Sequence, residues 1–308
     1  MKKILIVDDL HPAFKEEAIR LGFEVTDLPK ISRTEVLQIL GEYHVLAIRT
    51  KFQVDQEIID AGVNLQCVAR AGAGMDNIDE VYARERGITC INAPEGNRDA
   101  VAEHALGLLL ALMNNIKKAD AEVRQGIWDR EGNRGWELKG KTVGIIGYGH
   151  TGMALARKLS GFEVNVLAFD KYKTGFSDAY ATETVMEEIV KKADVLSLHI
   201  PLTRETRRLV DEEYLFHFRK PIFLVNTSRG EVADTRAILN AVKQGKILGA
   251  GLDVVEVEKF PALAQQPWFE ELSNHQRVIL TPHVAGWTFD SYRKISEVLA
   301  EKLKNLQL

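Results

Sequence analysis

The sequence predicts an α/β protein of two domains, each a doubly wound parallel sheet. Three observations predict it. The chain has 308 residues, about two domains at the usual ~150 residues each. Short β-branched runs alternate with longer amphipathic stretches, the pattern of βαβ units rather than of hairpins. That alternation stops near residue 100 and restarts at Lys141, after a region of different composition. Hydrophobic residues make up 45% and charged residues 27%. This is enough apolar content for two cores and too much for a disordered chain.

In the first series, strands are expected at 4–7, 24–26, 45–48, 65–69 and 88–91. Helical stretches lie between them at 12–21, 33–41 and 56–61. Residues 100–123 contain no Pro and only Gly107, and they predict one long helix. Its apolar positions are Ala102, Ala105, Leu106, Leu109, Leu112 and Met113. Such a helix fits either a core or a contact between subunits. The second series has strands at 142–146, 164–169, 195–200, 222–226, 249–254 and 278–281. Six strands interleaved with helices is the count for a dinucleotide-binding sheet. The last stretch, 290–306, is amphipathic and has nothing left to cover in that sheet. It is expected to pack back on the first domain and make that domain discontinuous.

Charge and apolar patterning exclude other classes. The net charge of −4 carries no basic excess of the kind that marks a nucleic-acid binder. The longest apolar run, 105–113, falls short of the ~20 residues that span a bilayer. The opening MKKILIVDD meets two aspartates too early to be a secretory signal. Cys67 and Cys90 cannot form a disulfide scaffold. Both are expected to be buried thiols, and the chain cytoplasmic. No metal is expected.

Gly147-Tyr148-Gly149-His150-Thr151-Gly152 is a GxGxxG that follows the apolar strand TVGII and opens the helical stretch 153–159. That context gives the motif its meaning. The first Gly permits the tight turn, the second lets a pyrophosphate approach, and the third allows close helix–strand packing. Asp170 ends the next strand, VNVLAFD, close to the expected ~20-residue spacing. A carboxylate there accepts from ribose hydroxyls and repels a 2′-phosphate, so NAD is the expected cofactor. Lys171 and Lys173 weaken that preference over NADP.

Three later segments each end a strand: NTSRG (226–230), GLDVVEVE (251–258) and TPHVAGW (281–287). Open α/β sheets place ligands at such strand ends. Together they offer an Arg, acids and a His, the set needed to reduce a 2-oxo acid. Arg229 can grip a carboxylate with two parallel bonds. His283 can give the carbonyl oxygen a proton. Each residue alone has an ordinary structural reading; their joint placement does not.

These marks, with HIPLT at 199–203, resemble the D-isomer-specific 2-hydroxyacid dehydrogenase family over essentially the whole chain. The resemblance implies a Rossmann cofactor domain, 97–285, inserted into a flavodoxin-like substrate domain, 1–96 and 286–308. It implies Arg229, Glu258 and His283 as the catalytic set. Glu256 is the competing acid. On the cofactor side it implies Gly147, Gly149, His150, Thr151, Gly152, Asp170, His199, Pro201, Thr227, Asp253 and Gly286, with Asp253 contacting the nicotinamide carboxamide. It also implies a homodimer formed through the 98–120 helix region.

Within the family, ARAGAGMDNID (69–79) and NAPEGNRDAVAEHALGLLLAL (92–112) are similar to the phosphoglycerate dehydrogenase branch. That similarity implies Arg49 and Arg70 as cations for a substrate phosphate. Ala71, Gly72, Ala73, Gly74 and Asn97 are the further substrate-binding residues, with the glycines at 72 and 74 exposing backbone N–H groups to the substrate carboxylate. Lys51 is a further cation, and Arg130 and Arg134 are candidates for a site across the dimer. The implied reaction is oxidation of D-3-phosphoglycerate to 3-phosphohydroxypyruvate, on the way to serine. A reductase of glyoxylate or hydroxypyruvate shares every catalytic residue. An NAD(H)-sensing scaffold is the reading from another class. The chain departs from the branch in three ways. It stops where many relatives continue into a serine-binding domain. Val257-Glu258-Lys259 replaces the common EP or EEP. Trp287 stands where small residues are usual and is expected to narrow the pocket near the His.

Overall fold

The computed structural model describes residues 1–306. In chain order its elements are β1 (Lys3–Ile6), α1 (Pro12–Arg20), β2 (Glu24–Asp27), α2 (Arg33–Ile39), β3 (Val45–Ile48), α3 (Gln56–Ala61), β4 (Cys67–Arg70), α4 (Glu80–Glu85), β5 (Thr89–Asn92), α5 (Pro94–Met113) and α6 (Ile116–Arg124). The second series is β6 (Thr142–Ile146), α7 (His150–Leu159), β7 (Asn165–Phe169), β8 (Thr182–Glu183), α8 (Met186–Lys192), β9 (Val195–Leu198), α9 (Glu212–His217), β10 (Ile222–Asn226), α10 (Thr235–Lys243), β11 (Ile247–Leu252), α11 (Phe269–Asn274), β12 (Val278–Leu280) and α12 (Phe289–Asn305). The chain divides into a unit of residues 1–98 with 287–308 and a unit of residues 99–286. Among the described residues no helix is long and apolar enough to cross a membrane.

The first unit is a five-stranded parallel sheet in the order β2-β1-β3-β4-β5. Its central strands β1, β3 and β4 are buried and apolar on both faces, as a parallel sheet covered by helices requires. In β3, Leu46 and Ile48 enter one core, and Val45 and Ala47 enter the other. The C-terminal helix α12 covers the second face. Its Ile295, Leu299, Ala300 and Leu303 pack with Phe14, Ala18, Cys67 and Ala69. Gly96 in the first turn of α5 is required there, because a Cβ would lie 2.6 Å from the Ile295 backbone. Lys302 ties the same contact, donating to the Asn92 carbonyl and to Glu95.

The second unit is a seven-stranded parallel sheet in the order β12-β11-β10-β9-β6-β7-β8. The chain winds outward from β6 in both directions, which creates a switch point between β6 and β9. The seventh strand, β8, was not legible: it is only two residues long, too short for any alternation pattern. Phe223 and Val225 of β10 fill one core, and Ile222 and Leu224 the other.

Two expectations need correction. The long helix is two helices, broken at Asn114–Asn115. Asn115 adopts φ 53°, a left-handed conformation that Asn tolerates better than most residues. Its side chain donates to the Arg134 carbonyl. Cys90 is not fully buried, whereas Cys67 is. Burial still pushes both thiols up, Cys67 to about 12 and Cys90 to about 11.

Candidate active site

At the switch point the three glycines do different work. Gly147 has φ +92°, and a Cβ there would lie 2.4 Å from the His199 carbonyl oxygen. A Cβ on Gly152 would lie 2.1 Å from the Gly147 carbonyl oxygen. These two close the turn against strand and helix. Gly149 differs: a Cβ would meet nothing within 4 Å. It caps the ten-residue helix α7, which begins with His150 and Thr151. The open side of the loop therefore faces the N–H groups of a helix N-terminus, a fit for a pyrophosphate. Tyr148 is buried. It anchors the loop by stacking on Phe176 and donating to Asp178.

Asp170 stands beside this turn, accepting from the Tyr148 and Tyr172 backbone N–H groups at 2.9 and 3.0 Å. Lys171 pairs with Glu205, and Lys173 donates to the Tyr148 carbonyl at 2.7 Å. Both ammonium groups are committed to protein oxygens, so neither is set out for a 2′-phosphate. His199 follows β9 and is neutral, because burial lowers it to about 4. Its Nε2 lies 2.8 Å from Ser197 Oγ. His199 Nδ1 and Thr227 Oγ1 are buried and have no hydrogen-bond partner. Buried polar atoms are normally satisfied, so these two fit a ligand or water. The Pro201 carbonyl closes its own turn, accepting from Thr206 Oγ1 at 2.7 Å.

The other segments sit side by side because β10, β11 and β12 are neighbours and end level. Asn226 pairs with Leu252, and Leu252 with Leu280. Asn226 closes the first loop, donating to the Arg229 carbonyl and accepting from the Ser228 N–H and hydroxyl. The Arg229 guanidinium donates to the Ser228 carbonyl at 2.7 Å. Gly230 presses the loop onto the next one, where a Cβ would lie 1.9 Å from the Val255 carbonyl oxygen.

The two acids of GLDVVEVE part ways. Glu256 accepts from the Thr235 N–H at the start of α10 and from Arg208. Glu258 Oε2 lies 2.8 Å from His283 Nδ1. Both members of that pair are part-exposed, at 45% for His283 and 37% for Glu258. His283 itself has φ 53°, a costly conformation for a non-glycine residue.

What holds it there is Asp253. Its side chain is fully buried and accepts from Thr281 Oγ1 at 2.6 Å, Val284 N–H at 2.9 Å and Ala285 N–H at 2.9 Å. The Asp253 carbonyl also accepts from the His283 N–H at 2.8 Å. His104 Nε2 lies 2.9 Å from Thr281 Oγ1. The Thr281 proton is used on Asp253, so His104 Nε2 is the donor. This carboxylate latches the loop that ends at Gly286. Sequence reasoning missed His104, Thr281 and Asn226 as parts of this frame. Their one signal was position: Thr281 stands two residues before His283, and Asn226 three before Arg229.

The remaining expected residues, apart from Arg130 and Arg134, lie in the first unit. Asp8 Oδ2 accepts from the N–H groups of Arg49, Thr50 and Lys51, at 3.1, 2.7 and 2.9 Å. The Arg49 guanidinium lies 3.4 Å from the centre of the Trp287 ring. Lys51 donates to the Pro29 carbonyl. Arg70 packs its guanidinium on Gly72, where a Cβ would lie 1.7 Å from Nη1. The 71–74 loop is tied by Gly72 to Ala93 and by Ala73 to Asn92. Asn97 Oδ1 is buried without a hydrogen-bond partner. Trp287 covers Arg49. Arg134 pairs with Glu131 three residues away. Among the described residues no group of three or more His, Cys, Asp or Glu side chains is placed to hold a metal ion.

Comparison with known proteins places these features. The family model for the D-isomer specific 2-hydroxyacid dehydrogenase NAD binding domain matches residues 106–285. A D-3-phosphoglycerate dehydrogenase of Archaeoglobus fulgidus is 34% identical over 306 residues, covering 99% of this chain and 57% of its own length. The chain therefore spans little more than half of that relative. A hydroxypyruvate reductase of Thermotoga maritima is 35% identical over 273 residues, covering 89% of this chain and 88% of its own. The structure of a D-lactate dehydrogenase from Aquifex aeolicus, complexed with NAD and lactic acid, superimposes with a TM-score of 0.82 at 27% identity. It covers 98% of this chain and 94% of that one. The strand order, the glycine turn and the three loop ends are those of an NAD-binding domain, and the chain belongs to the D-isomer specific 2-hydroxyacid dehydrogenase family.

Proposed function

We propose that the protein oxidises D-3-phosphoglycerate to 3-phosphohydroxypyruvate, or runs that reaction in reverse. The bound nicotinamide supplies the hydride exchange at substrate C2. Arg229 holds the substrate carboxylate through its guanidinium edge. With Glu258 accepting from Nδ1, neutral His283 presents Nε2 as a base to the substrate hydroxyl. In the reverse direction the doubly protonated ring gives that proton to the carbonyl oxygen. Asp253 keeps the ring in place without touching substrate. Gly149, the α7 N-terminus and Asp170 hold pyrophosphate and ribose.

The observation that carries the phosphate reading is Arg49. It is stacked on Trp287, burial dominates its environment and lowers its pKa, and among the described residues it forms no ion pair with a carboxylate. A desolvated cation whose neighbouring carboxylates, Asp8 and Asp9, act on it only at a distance fits an anionic ligand. Arg70, Asn97 and the 71–74 loop complete the proposed substrate contacts. The second reading, reduction of unphosphorylated 2-oxo acids, is favoured by the Thermotoga maritima relative, of which this chain covers 88%. NADH oxidation at 340 nm decides between them. We expect kcat/KM for 3-phosphohydroxypyruvate to exceed that for hydroxypyruvate and glyoxylate by at least ~10-fold, and Arg49→Ala to remove most of the difference. Equal rates on all three ketones exclude the phosphate reading, and NADH binding without turnover favours a sensing scaffold.

We further propose a cytoplasmic homodimer formed through the region of α5 and α6. Ile116, Val123, Ile127 and Trp128 are exposed at 54%, 52%, 47% and 79%. That is a large apolar display for a monomer surface, and a second copy of the chain fits it. Sedimentation velocity should give a dimer for the native chain and a monomer for Val123→Asp with Trp128→Asp. A native monomer at micromolar concentration rules the proposal out.

A further inference from the structure

The indole of Trp287 belongs to none of the roles above. It is the first residue of the C-terminal segment of the first unit and immediately precedes Thr288, the N-cap of α12. The capping box of Thr288 and Ser291 fixes the backbone there. The ring is then wedged edge-to-face against Tyr292, with centroids 5.1 Å apart and planes at 71°. Tyr292 is itself held on two sides, by the His11 ring and by a bond from its hydroxyl to Asp9 Oδ1 at 2.9 Å. The indole is a rigid wall, 37% exposed, with Arg49 lying flat on it at 3.4 Å.

The wall changes what Arg49 can do. A guanidinium donates only in its plane, and stacking one face against an aromatic ring leaves the N–H edge as its binding surface. Stacking also strips water from that face, which strengthens whatever the edge then binds. The neighbouring acids, Asp8 and Asp9, attract the guanidinium only at a distance, and their hydrogen bonds go to other groups. Asp8 spends Oδ1 on the Asp9 N–H and Oδ2 on three backbone N–H groups. Asp9 spends Oδ1 on Tyr292. The charge of Arg49 is therefore pinned in orientation, partly dry and, among the described residues, without a direct ion pair.

We propose that Trp287 is a positioning residue for substrate selection. By stacking on Arg49 it presents the guanidinium edge to a doubly charged phosphate and so sets preference for phosphorylated over unphosphorylated 2-oxo acids. The inference rests on the reading of Arg49 as the phosphate cation. A singly charged or neutral substituent gains little from a dry, fixed guanidinium, whereas a dianion with three acceptor oxygens gains most.

The test compares Trp287→Ala, Trp287→Phe and Arg49→Ala, each screened first for an unchanged thermal midpoint. The readout is the ratio of kcat/KM for 3-phosphohydroxypyruvate to that for hydroxypyruvate. Trp287→Ala is expected to lower the ratio about tenfold, the scale of a partly desolvated cation–π contact, mainly through KM for the phosphorylated ketone. Trp287→Phe should keep it within about twofold, because a flat ring remains. Inorganic phosphate should quench indole fluorescence in the native protein and lose that effect in Trp287→Phe. If Trp287→Ala lowers activity on both ketones by the same factor, the residue is only structural and the inference fails. If Arg49→Ala lowers the ratio and Trp287→Ala does not, the phosphate reading stands and the inference fails. If neither variant moves the ratio, the phosphate reading itself falls.

Discussion

Changing His283 to Ala is expected to lower kcat by a factor of about 10²–10⁴, the usual contribution of a positioned general acid–base group. NADH affinity should stay near native, because His283 lies on the loop after β12 and the glycine turn follows β6. Glu258→Gln tests the same pair one step out. An amide can still accept from Nδ1, but it no longer offers a charge to the imidazolium that forms when the ring takes a proton. We expect a kcat loss of about 10–10², with the pH profile of kcat/KM displaced on its acid limb. Glu256→Gln is the internal control. Glu256 is spent on the Thr235 N–H and on Arg208, so its loss should cost stability and leave the pH profile alone. Steady-state rates between pH 5 and 9 separate the three variants. A Glu256 variant with the altered profile and a Glu258 variant without it would reverse the assignment.

That pair of acids also marks where sequence reasoning stops. Spacing put two glutamates in one irregular loop, and neither periodicity nor composition says which one turns toward the His. The choice is made by tertiary contacts: Glu256 is captured by Arg208 and by the α10 N-terminus, elements distant in sequence. What could be read from sequence was local and strongly patterned. Both parallel sheets follow from β-branched runs spaced by helices, and the glycine turn follows from three glycines after a strand. The helix break at Asn115 was hidden because Asn is compatible with either conformation and no Pro or Gly announced it. Trp287 was visible as a departure, yet its partner Arg49 lies far away in the chain, and stacking leaves no sequence signature.

The second large effect is expected from Asp253→Asn, a change of one atom that touches no reacting group. The carboxylate accepts from Thr281 Oγ1, Val284 N–H and Ala285 N–H, with all of its side chain buried. An amide supplies one accepting oxygen and one NH2 group. Whichever way it is turned, that NH2 faces a backbone N–H, and a buried donor loses its partner. The cost of such a loss is about 1–3 kcal/mol, which lowers the thermal midpoint of a unit this size by roughly 2–12 °C. The kinetic cost is separate. His283 sits at φ 53°, a conformation worth about 1–3 kcal/mol of strain that persists only while its surroundings over-determine it. With the latch weakened, the loop can relax toward negative φ and carry the imidazole away from Glu258. A misplacement of about 1 Å can cost about 10²-fold, so kcat should fall by that order while the protein remains folded at assay temperature. Thr281→Val removes one of the same bonds and should show a smaller loss in both measurements. Calorimetry and steady-state kinetics on the two variants test the latch together. A native thermal midpoint and a native kcat in Asp253→Asn would mean that the loop geometry is held by something other than this carboxylate.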